Sequence, residues 1–414
     1  MQENRIALRN IGKYDGKNLQ DAILLGAFNS LGMTIKHYSN VDIIESIIHS
    51  GLRGRGGAGF PTGLKFKFTA SEDGDEKYVV CNADEGEPGT FKDRQIMEQD
   101  PYLILEGMAI AGFAIGAEKG FIYIRGEYHK SIERLQYAID QAVEVGFLGD
   151  EIFESDINFH IEIRLGAGSY LCGEELTLLE SLEGKRGHPR IKPPFPAQKG
   201  LFQKPTLVNN VETLAHIPEI ISRGSEWYKS LGNNGSTGTK IFNLSGDINK
   251  PGYYEFEFGI SLRELIYEVG GGISDNKKLK AVLLGGATGT FVSEEQLDTP
   301  MDYDSLRDIG ATLGSGAVIV LHEDRDLGDF LENILGFFKH ESCGKCTPCR
   351  IGTTQLHRAM QKINSGTEDA SIILNKMLKE AELMKATSLC PLGQSPIMPL
   401  SSAMKYFEKE LLNA

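Results

Sequence analysis

The chain has 414 residues, 41% hydrophobic and 24% charged, and its 43 Lys plus Arg against 57 Asp plus Glu give a net charge of −14. That length exceeds one compact core and implies two or three domains of ordinary soluble composition. The acidic balance excludes a general nucleic-acid or anionic-membrane surface and leaves room only for a local basic pocket.

Residues 1–10 are polar and mixed in charge, so no secretory signal is read there. Weak periodicity follows, with an apolar patch at 22–31. Residues 41–50 predict a short amphipathic helix that runs into a glycine-rich loop at 51–63. β-rich runs come next at 78–82 and 121–125, each followed by turn formers. Helical periodicity covers 95–117 and 129–145. The apolar stretch 103–117 contains Glu106 and falls short of the roughly 20 residues that span a bilayer, so it reads as a buried helix. A strand at 158–164 leads into a second glycine-rich turn at 166–173 and a helix from about Glu174. Strands alternating with helices predict an α/β domain on a mainly parallel sheet. Residues 189–205 are proline-rich and predict an extended loop without regular structure.

The run 232–238 has the composition of a linker. After it, 240–246 and 253–258 flank a Lys250-Pro251-Gly252 turn and predict a hairpin. A helix at 261–269 and strands at 279–284 and 317–321 complete a small α+β unit whose order suits a β-grasp. From Asp326 the pattern is helical, with segments at 327–340, 352–364, 370–383 and 396–412 forming a small bundle. The expected divisions are therefore 1–235, 236–325 and 326–414.

Of six cysteines, Cys81 and Cys172 stand alone. Cys343, Cys346 and Cys349 form a C-x2-C-x2-C run, and Cys390 follows after a helical excursion. Without a secretory signal, a disulfide framework is not expected. Three thiolates at this spacing can each bind a different iron on one face of a cubane, and a remote cysteine supplies the fourth. Gly344 and Pro348 favour the tight curl, and Pro391 directly follows the remote ligand. Structural zinc is the main rival, although zinc sites usually pair two C-x2-C knuckles or mix Cys with His, and His340 stands close enough to substitute. A cubane carries single electrons and does no substrate chemistry alone, so an electron donor is expected nearby.

Gly54, Arg55, Gly56, Gly57, Ala58 and Gly59 match G-x-G-x-x-G, but a helix precedes them instead of a strand, so an ordinary Rossmann fingerprint is not expected. Glycines let the backbone approach a phosphate, and Arg53, Arg55, Lys65 and Lys67 would surround it with positive charge. The alternative is a solvated basic loop. Phe60, Phe66 and Phe68 flank the lysines, as stacking partners for a base or as core, with Phe66 expected in the core. Asp84, Glu85 and Glu87 follow the 78–82 strand, where α/β domains place ligand contacts, although a Gly/Pro turn with solvated acids has the same composition. The 166–173 turn before Glu174 and Glu175 suits a phosphate or flavin edge. Asn209 and Asn210 form a polar pair whose simplest role is capping.

These segments together resemble the NADH-binding flavoprotein subunit of respiratory complex I, and the related subunits of NAD-linked hydrogenases and formate dehydrogenases. The matching stretches are 51–68, 81–94, 123–127, 166–194, 204–213 and 343–350 with Cys390, which span almost the whole chain. The resemblance implies an FMN- and NADH-binding Rossmann-like α/β domain, a β-grasp (SLBB) domain and a four-helix bundle holding [4Fe–4S]. By the same carry-over, FMN contacts Gly54, Gly56, Gly57, Gly59, Asn82, Asp84, Glu85, Tyr170, Gly173, Glu174, Asn209 and Asn210. NADH contacts Phe60, Lys65, Phe68, Glu87, Glu175 and Phe195, and Cys343, Cys346, Cys349 and Cys390 ligate the cluster. The implied activity is NADH dehydrogenation, by hydride transfer to the flavin and single-electron release to the cluster. A hydride carries its own electrons, so no catalytic side chain is assigned; Glu87 and Glu175 position.

The implied partners are a thioredoxin-like [2Fe–2S] subunit and an iron–sulfur subunit of a larger redox complex. Nucleic acid is not expected, and membrane contact comes only through partners, for a cytoplasmic protein or one peripheral at the inner face of the cell membrane. The approach of only about fifty residues to the glycine loop, and the end about twenty-four residues after Cys390, suit a complex I subunit. The sequence Ser388-Leu-Cys390-Pro-Leu-Gly-Gln-Ser stands nearer the hydrogenase and formate dehydrogenase branch, so the context stays open, as does whether the flavin bifurcates. A rival of a different class is a zinc-containing scaffold.

Overall fold

In the computed structural model, which describes residues 3–233, 235–367 and 369–412, two short helices (Leu19–Leu24 and Asn29–His37) precede α1 (Asn40–Ser50). A capping box between Ser39 and Asp42 starts α1, and Gly51, at φ 70°, ends it in the left-handed conformation that glycine adopts without strain. There follow α2 (Thr62–Ser71), β1 (Tyr78–Ala83), α3 (Lys92–Gln99), α4 (Pro101–Ile115), β2 (Lys119–Arg125), α5 (His129–Glu144), β3 (His160–Gly166), α6 (Glu175–Leu182), β4 (Thr206–Asn210) and α7 (Val211–Arg223). The four strands form an all-parallel sheet in the order β3-β2-β1-β4. Parallel strands end on the same edge, so the residues after β1, β3 and β4 meet there, where open α/β sheets bind ligands.

The helical stretch expected at 95–117 is two helices, α3 and α4. Pro101 lacks the N–H that would continue α3, and it takes the first position of α4 instead. α4 is buried along nearly its whole length, and it crosses α7 so closely that a Cβ on Gly107 would fall 2.2 Å from the Leu214 carbonyl oxygen. The proline-rich loop is not wholly irregular, because it contains a four-residue helix, Pro196–Lys199, and a 3-10 turn, Leu201–Gln203. In the expected linker, of which residue 234 lies outside the described residues, Gly232 pairs with Thr237 and Asn233 with Ser236 in a small antiparallel ladder.

The second sheet comprises β5 (Thr239–Gly246), β6 (Gly252–Glu257), β7 (Leu279–Leu284), β8 (Thr290–Val292) and β9 (Ala317–His322), in the order β8-β7-β9-β5-β6. β9 runs parallel to β5, and the other pairs are antiparallel. Its crossing helix, Glu264–Val269, is a widened π-type turn. Four long helices close the chain: α8 (Leu327–Glu341), α9 (Thr347–Asn364), α10 (Ala370–Thr387) and α11 (Ile397–Leu412). Their apolar faces form one core that continues into β7 through Ala281 and Leu283. Among the described residues, no helix is long and apolar enough to cross a membrane.

Candidate functional site

A cavity of about 1180 Å³ opens at the C-terminal edge of the parallel sheet. It exceeds the roughly 300–1,000 Å³ usual for one small ligand, so it has room for two. All eighteen residues assigned above to flavin or nucleotide line this one space. The sheet edge supplies Asn82, Asp84, Glu85, Asn209 and Asn210. The loop after α1 supplies Gly54, Gly56, Gly57 and Gly59, α2 supplies Lys65 and Phe68, the turn before α6 supplies Tyr170, Gly173 and Glu174, and the first residue of α6 is Glu175.

The loop 54–59 is closed by hydrogen bonds from Gly54 N–H to the Phe60 carbonyl and from Thr62 N–H to the Leu52 carbonyl, both 2.8 Å. Gly57 and Gly59 take φ values of 130° and 62°, which explains two of its glycines. The expected halo of cations around it is corrected. Arg55 is 1% exposed and donates to the carbonyls of Arg53, Thr237 and Thr239, while Arg53 stacks on Tyr303. Lys67 is exposed and off the cavity. Lys65 does face it, joined by two lysines that sequence reasoning passed over, Lys92 and Lys192. Lys192 was hidden in the proline-rich loop, where its neighbour Phe195 was the available signal.

Lys65 Nζ lies 3.1 Å from Glu175, and Lys192 Nζ lies 2.8 Å from Glu175 and 3.1 Å from Glu174. Burial alone would raise the Glu175 pKa, but the two lysines hold it at about 2. Phe60, Phe68 and Phe195 are 43%, 47% and 52% exposed at the rim, whereas Phe66 is fully buried, so three aromatics stay free to stack on a base.

Several polar side chains at the inner wall are already engaged. Asn82 donates to the Gly173 carbonyl at 2.8 Å, and Glu85 accepts from the Asp93 and Arg94 N–H groups and the Tyr128 hydroxyl. Glu174 caps α6 by accepting from Leu176 and Thr177. Asn210 donates to Asp93 at 2.7 Å and accepts from Lys92 and from the Glu212 N–H. These four shape the wall. By contrast, both carboxylate oxygens of Asp84 and the Nδ2 of Asn209 are buried without a partner among the described residues. Such orphaned groups fit the polar edge of a bound flavin. Burial also lifts the pKa of Asp84 to about 7 and that of Glu87 to about 7. Glu87 accepts from the backbone N–H of Thr288 at 2.9 Å.

The far wall is made by Gly285, Thr288, Thr312, Gly314 and Ser315 of the second sheet's loops and by Pro391, Leu392, Ser395 and Met398. Pro391 is bonded to Cys390, so the cavity reaches the cysteine site. Cys349 and Cys390 are buried, Cys343 and Cys346 are half-buried, and all four meet the same helical core. The Ser342 hydroxyl lies 3.2 Å from Cys349 Sγ. Burial lifts the free thiols of Cys349 to about 11 and Cys390 to about 12, so binding iron displaces a proton from each. Among the described residues, no three His, Cys, Asp or Glu side chains are gathered to hold a single metal ion. A cubane instead takes one thiolate at each of four corners, and this core offers four.

Three stretches match family models: 47–219 the Nuo51 FMN-binding domain, 240–320 the SLBB domain, and 329–414 the NADH-ubiquinone oxidoreductase-F iron-sulfur binding region. Over 98% of its length the chain is 46% identical to an NADH-quinone oxidoreductase subunit of Rhizobium meliloti (strain 1021), covering 96% of that protein. The chain belongs to the Nuo51 family of NADH-binding flavoproteins. It is equally similar, at 46% over 98% of this chain and 82% of the other, to NADP-reducing hydrogenase subunit HndC of Solidesulfovibrio fructosivorans. A solved NAD+-reducing [NiFe]-hydrogenase chain in the H2-reduced state superposes with a TM-score of 0.88 at 35% identity, over 99% of this chain. The Nuo51-family chain spans 66% of that longer hydrogenase chain. As a Nuo51-family protein it is a flavin-dependent NADH dehydrogenase component carrying FMN and [4Fe–4S], and the iron–sulfur match covers all four clustered cysteines. The expected iron–sulfur reading of that site thus stands over its zinc rival, and the electron-transfer role over the scaffold.

Proposed function

We propose that this chain is the electron-entry subunit of a larger redox complex, dividing near residues 235 and 325, with the flavin and nucleotide side by side in one cavity. FMN lies against the 54–59 loop, Asp84, Tyr170 and Asn209, with Asn82, Glu85, Gly173, Glu174 and Asn210 shaping its wall. NADH lies against Phe60, Lys65, Phe68, Glu87, Glu175 and Phe195, to which Lys192 is added. Cys343, Cys346, Cys349 and Cys390 hold the cluster. The observation that carries this reading is the cavity's extent, from the exposed aromatics at its rim to the turn that begins at Cys390.

When bound, FMN supplies the exchange between two-electron and one-electron chemistry, and the cluster supplies single-electron carriage. The protein's own residues bind and orient. Lys65 and Lys192 offer charge to a pyrophosphate, and their pairing with Glu175 keeps that carboxylate ionised as an acceptor for hydroxyl groups. Pro391, Leu392 and Met398 make the part of the far wall toward the cysteines mainly apolar, which limits water there. No side chain is needed as acid or base for the hydride.

The immediate partner is a thioredoxin-like [2Fe–2S] subunit, and an additional iron–sulfur subunit lies beyond it. Any membrane contact runs through them, with the chain on the cytoplasmic side. A second context, a hydrogenase or formate dehydrogenase complex, is favoured by the equal identity to HndC and by the superposition on a hydrogenase chain. Subunits co-purifying with the tagged chain separate the two: antiporter-like membrane proteins for one, a hydrogenase or formate dehydrogenase catalytic subunit for the other. Within the site, Glu87→Gln should raise the KM for NADH while flavin content stays constant. Flavin loss at unchanged NADH affinity would refute the placement. Cys390→Ser should remove most of the iron–sulfur absorbance; full retention would displace it from the ligand set.

A further inference from the structure

The 54–59 loop is held from outside its own sheet. Tyr303, the first residue of a short helix (Tyr303–Asp308) in the second unit, donates its hydroxyl to the Gly54 carbonyl oxygen at 2.9 Å. The Arg53 guanidinium lies 4.0 Å from the centre of the Tyr303 ring, and its Nε donates to the Gly59 carbonyl at 2.7 Å. A Cβ on Gly59 would fall 2.6 Å from that same ring. Tyr303 therefore touches both ends of the loop, at Gly54 directly and at Gly59 by contact and through Arg53. The ring is fixed in turn, because it packs on Phe258 at 5.4 Å and the Asp302 side chain caps its helix. Phe258 also carries the buried Arg55 guanidinium at 4.6 Å.

A second contact crosses the same boundary. The Thr288 backbone N–H donates to Glu87 at 2.9 Å, and its hydroxyl lies 3.3 Å from each carboxylate oxygen. Glu87 fills the space beside Gly286 so fully that a Cβ there would lie 2.4 Å from its Cγ. One side of the cavity thus takes its shape from a domain that carries none of the residues assigned to flavin or nucleotide.

We propose that the β-grasp unit is a working wall of the cofactor cavity, in which Tyr303 positions the 54–59 loop for flavin and Thr288 positions Glu87 for the nicotinamide nucleotide. This deepens the reading above and rests on its placement of flavin at that loop. The physical reason is conformational entropy. A loop with four glycines in six residues has wide freedom, and fixing it at the moment of binding weakens affinity. A clamp that fixes it beforehand removes that penalty from the binding step.

The test uses the full chain with its co-purified partner subunits, FMN titrated into flavin-free protein by fluorescence quenching, and NADH KM measured after reloading. Tyr303→Phe keeps the ring stack and loses only the hydroxyl, so the FMN Kd should rise roughly 3- to 10-fold, the worth of one hydrogen bond. Tyr303→Leu loses both contacts and should raise it further, with iron–sulfur absorbance unchanged and a fall in the thermal midpoint of the flavin-free chain too small to account for the flavin loss. Thr288→Val should leave the FMN Kd within about twofold and raise the NADH KM roughly 2- to 5-fold, again by one hydrogen bond. FMN Kd values within twofold of wild type in both Tyr303 variants overturn the proposal. So does a fall in the flavin-free midpoint that matches the flavin loss, which makes Tyr303 a packing residue only. A wild-type chain that takes up no FMN breaks the flavin placement itself, and that outcome is distinct from variants that bind as well as wild type.

Discussion

At the mouth of the cavity Lys65 and Lys192 flank Glu175 at 3.1 and 2.8 Å, and the three side chains keep 30%, 35% and 24% of their surface exposed. At the floor of the cavity, where Lys92 and Asp93 line it, Lys92 and Lys240 share Glu212 at 2.9 and 2.6 Å, Lys92 also meets Asp93 at 2.6 Å, and none of the four exceeds 4% exposure. The two clusters have similar distances and opposite physics. The mouth cluster is part-exposed, so its members can exchange partners with a charged ligand at lower cost. The lower cluster is locked, because withdrawing one member leaves a buried charge without compensation. It also bridges domains, since Lys240 lies on β5 while Lys92 and Glu212 lie on α3 and α7. Burial opposes ionisation of Glu212, yet Lys240 and Lys92 hold its pKa at about 2.

The contrast breaks most readily at Glu212. Glu212→Gln should destabilise the flavin-free chain by about 3–5 kcal/mol in denaturant unfolding. A loss under about 1 kcal/mol would place the two clusters in one class. A smaller effect is expected at Asp84, which lines the same cavity. Its folded pKa is raised by burial to about 7, so the folded chain binds a proton that the unfolded chain has released. Folding is therefore favoured below the ordinary carboxylate range, and the contribution is lost as pH rises through about 7. Asp84→Asn should flatten that decline in a pH series of unfolding midpoints for the flavin-free chain; an unchanged slope assigns the proton elsewhere. The smallest change in stability is expected at the mouth. Glu175→Gln should shift unfolding by about 1–2 kcal/mol, because the lysine pairing holds its pKa at about 2 but is partly screened by solvent. It should raise the KM for NADH roughly tenfold, as loss of a charged hydrogen-bond partner does. Salt near 0.5 M should weaken NADH binding by screening the same lysines, while Glu212→Gln keeps its full effect.

The sequence was most legible where chemistry is local. Four cysteines at fixed spacing carry their meaning in the residue names, and the alternation of strands and helices was enough to expect the parallel sheet. Side-chain direction was not legible. Arg55 sits inside the glycine motif and reads as a phosphate cation, yet it points back into a pocket of carbonyls beside Tyr228. Strand β4 was missed because its five residues follow directly on the proline-rich loop and end in two asparagines that look like turn formers. The wall at Gly285, Thr288 and Ser315 was missed for a deeper reason. It belongs to the cavity only through packing between domains, and no periodicity within either domain records that contact.

The second sheet meets other parts of the chain along both margins. On β6, Glu255 accepts from the N–H groups of Ala7 and Leu8 at 3.0 and 2.8 Å, and Asn4 donates to Glu257 at 3.0 Å, so the amino-terminal segment lies along the outer strand. On the opposite margin, the Phe291 N–H of β8 donates to the Ser402 hydroxyl of α11 at 2.9 Å. Contacts on both margins narrow what the outer ladders offer another chain to extend, which disfavours edge-to-edge pairing. Neighbouring subunits are therefore expected to meet this protein by its loops and helix faces more than by strand addition.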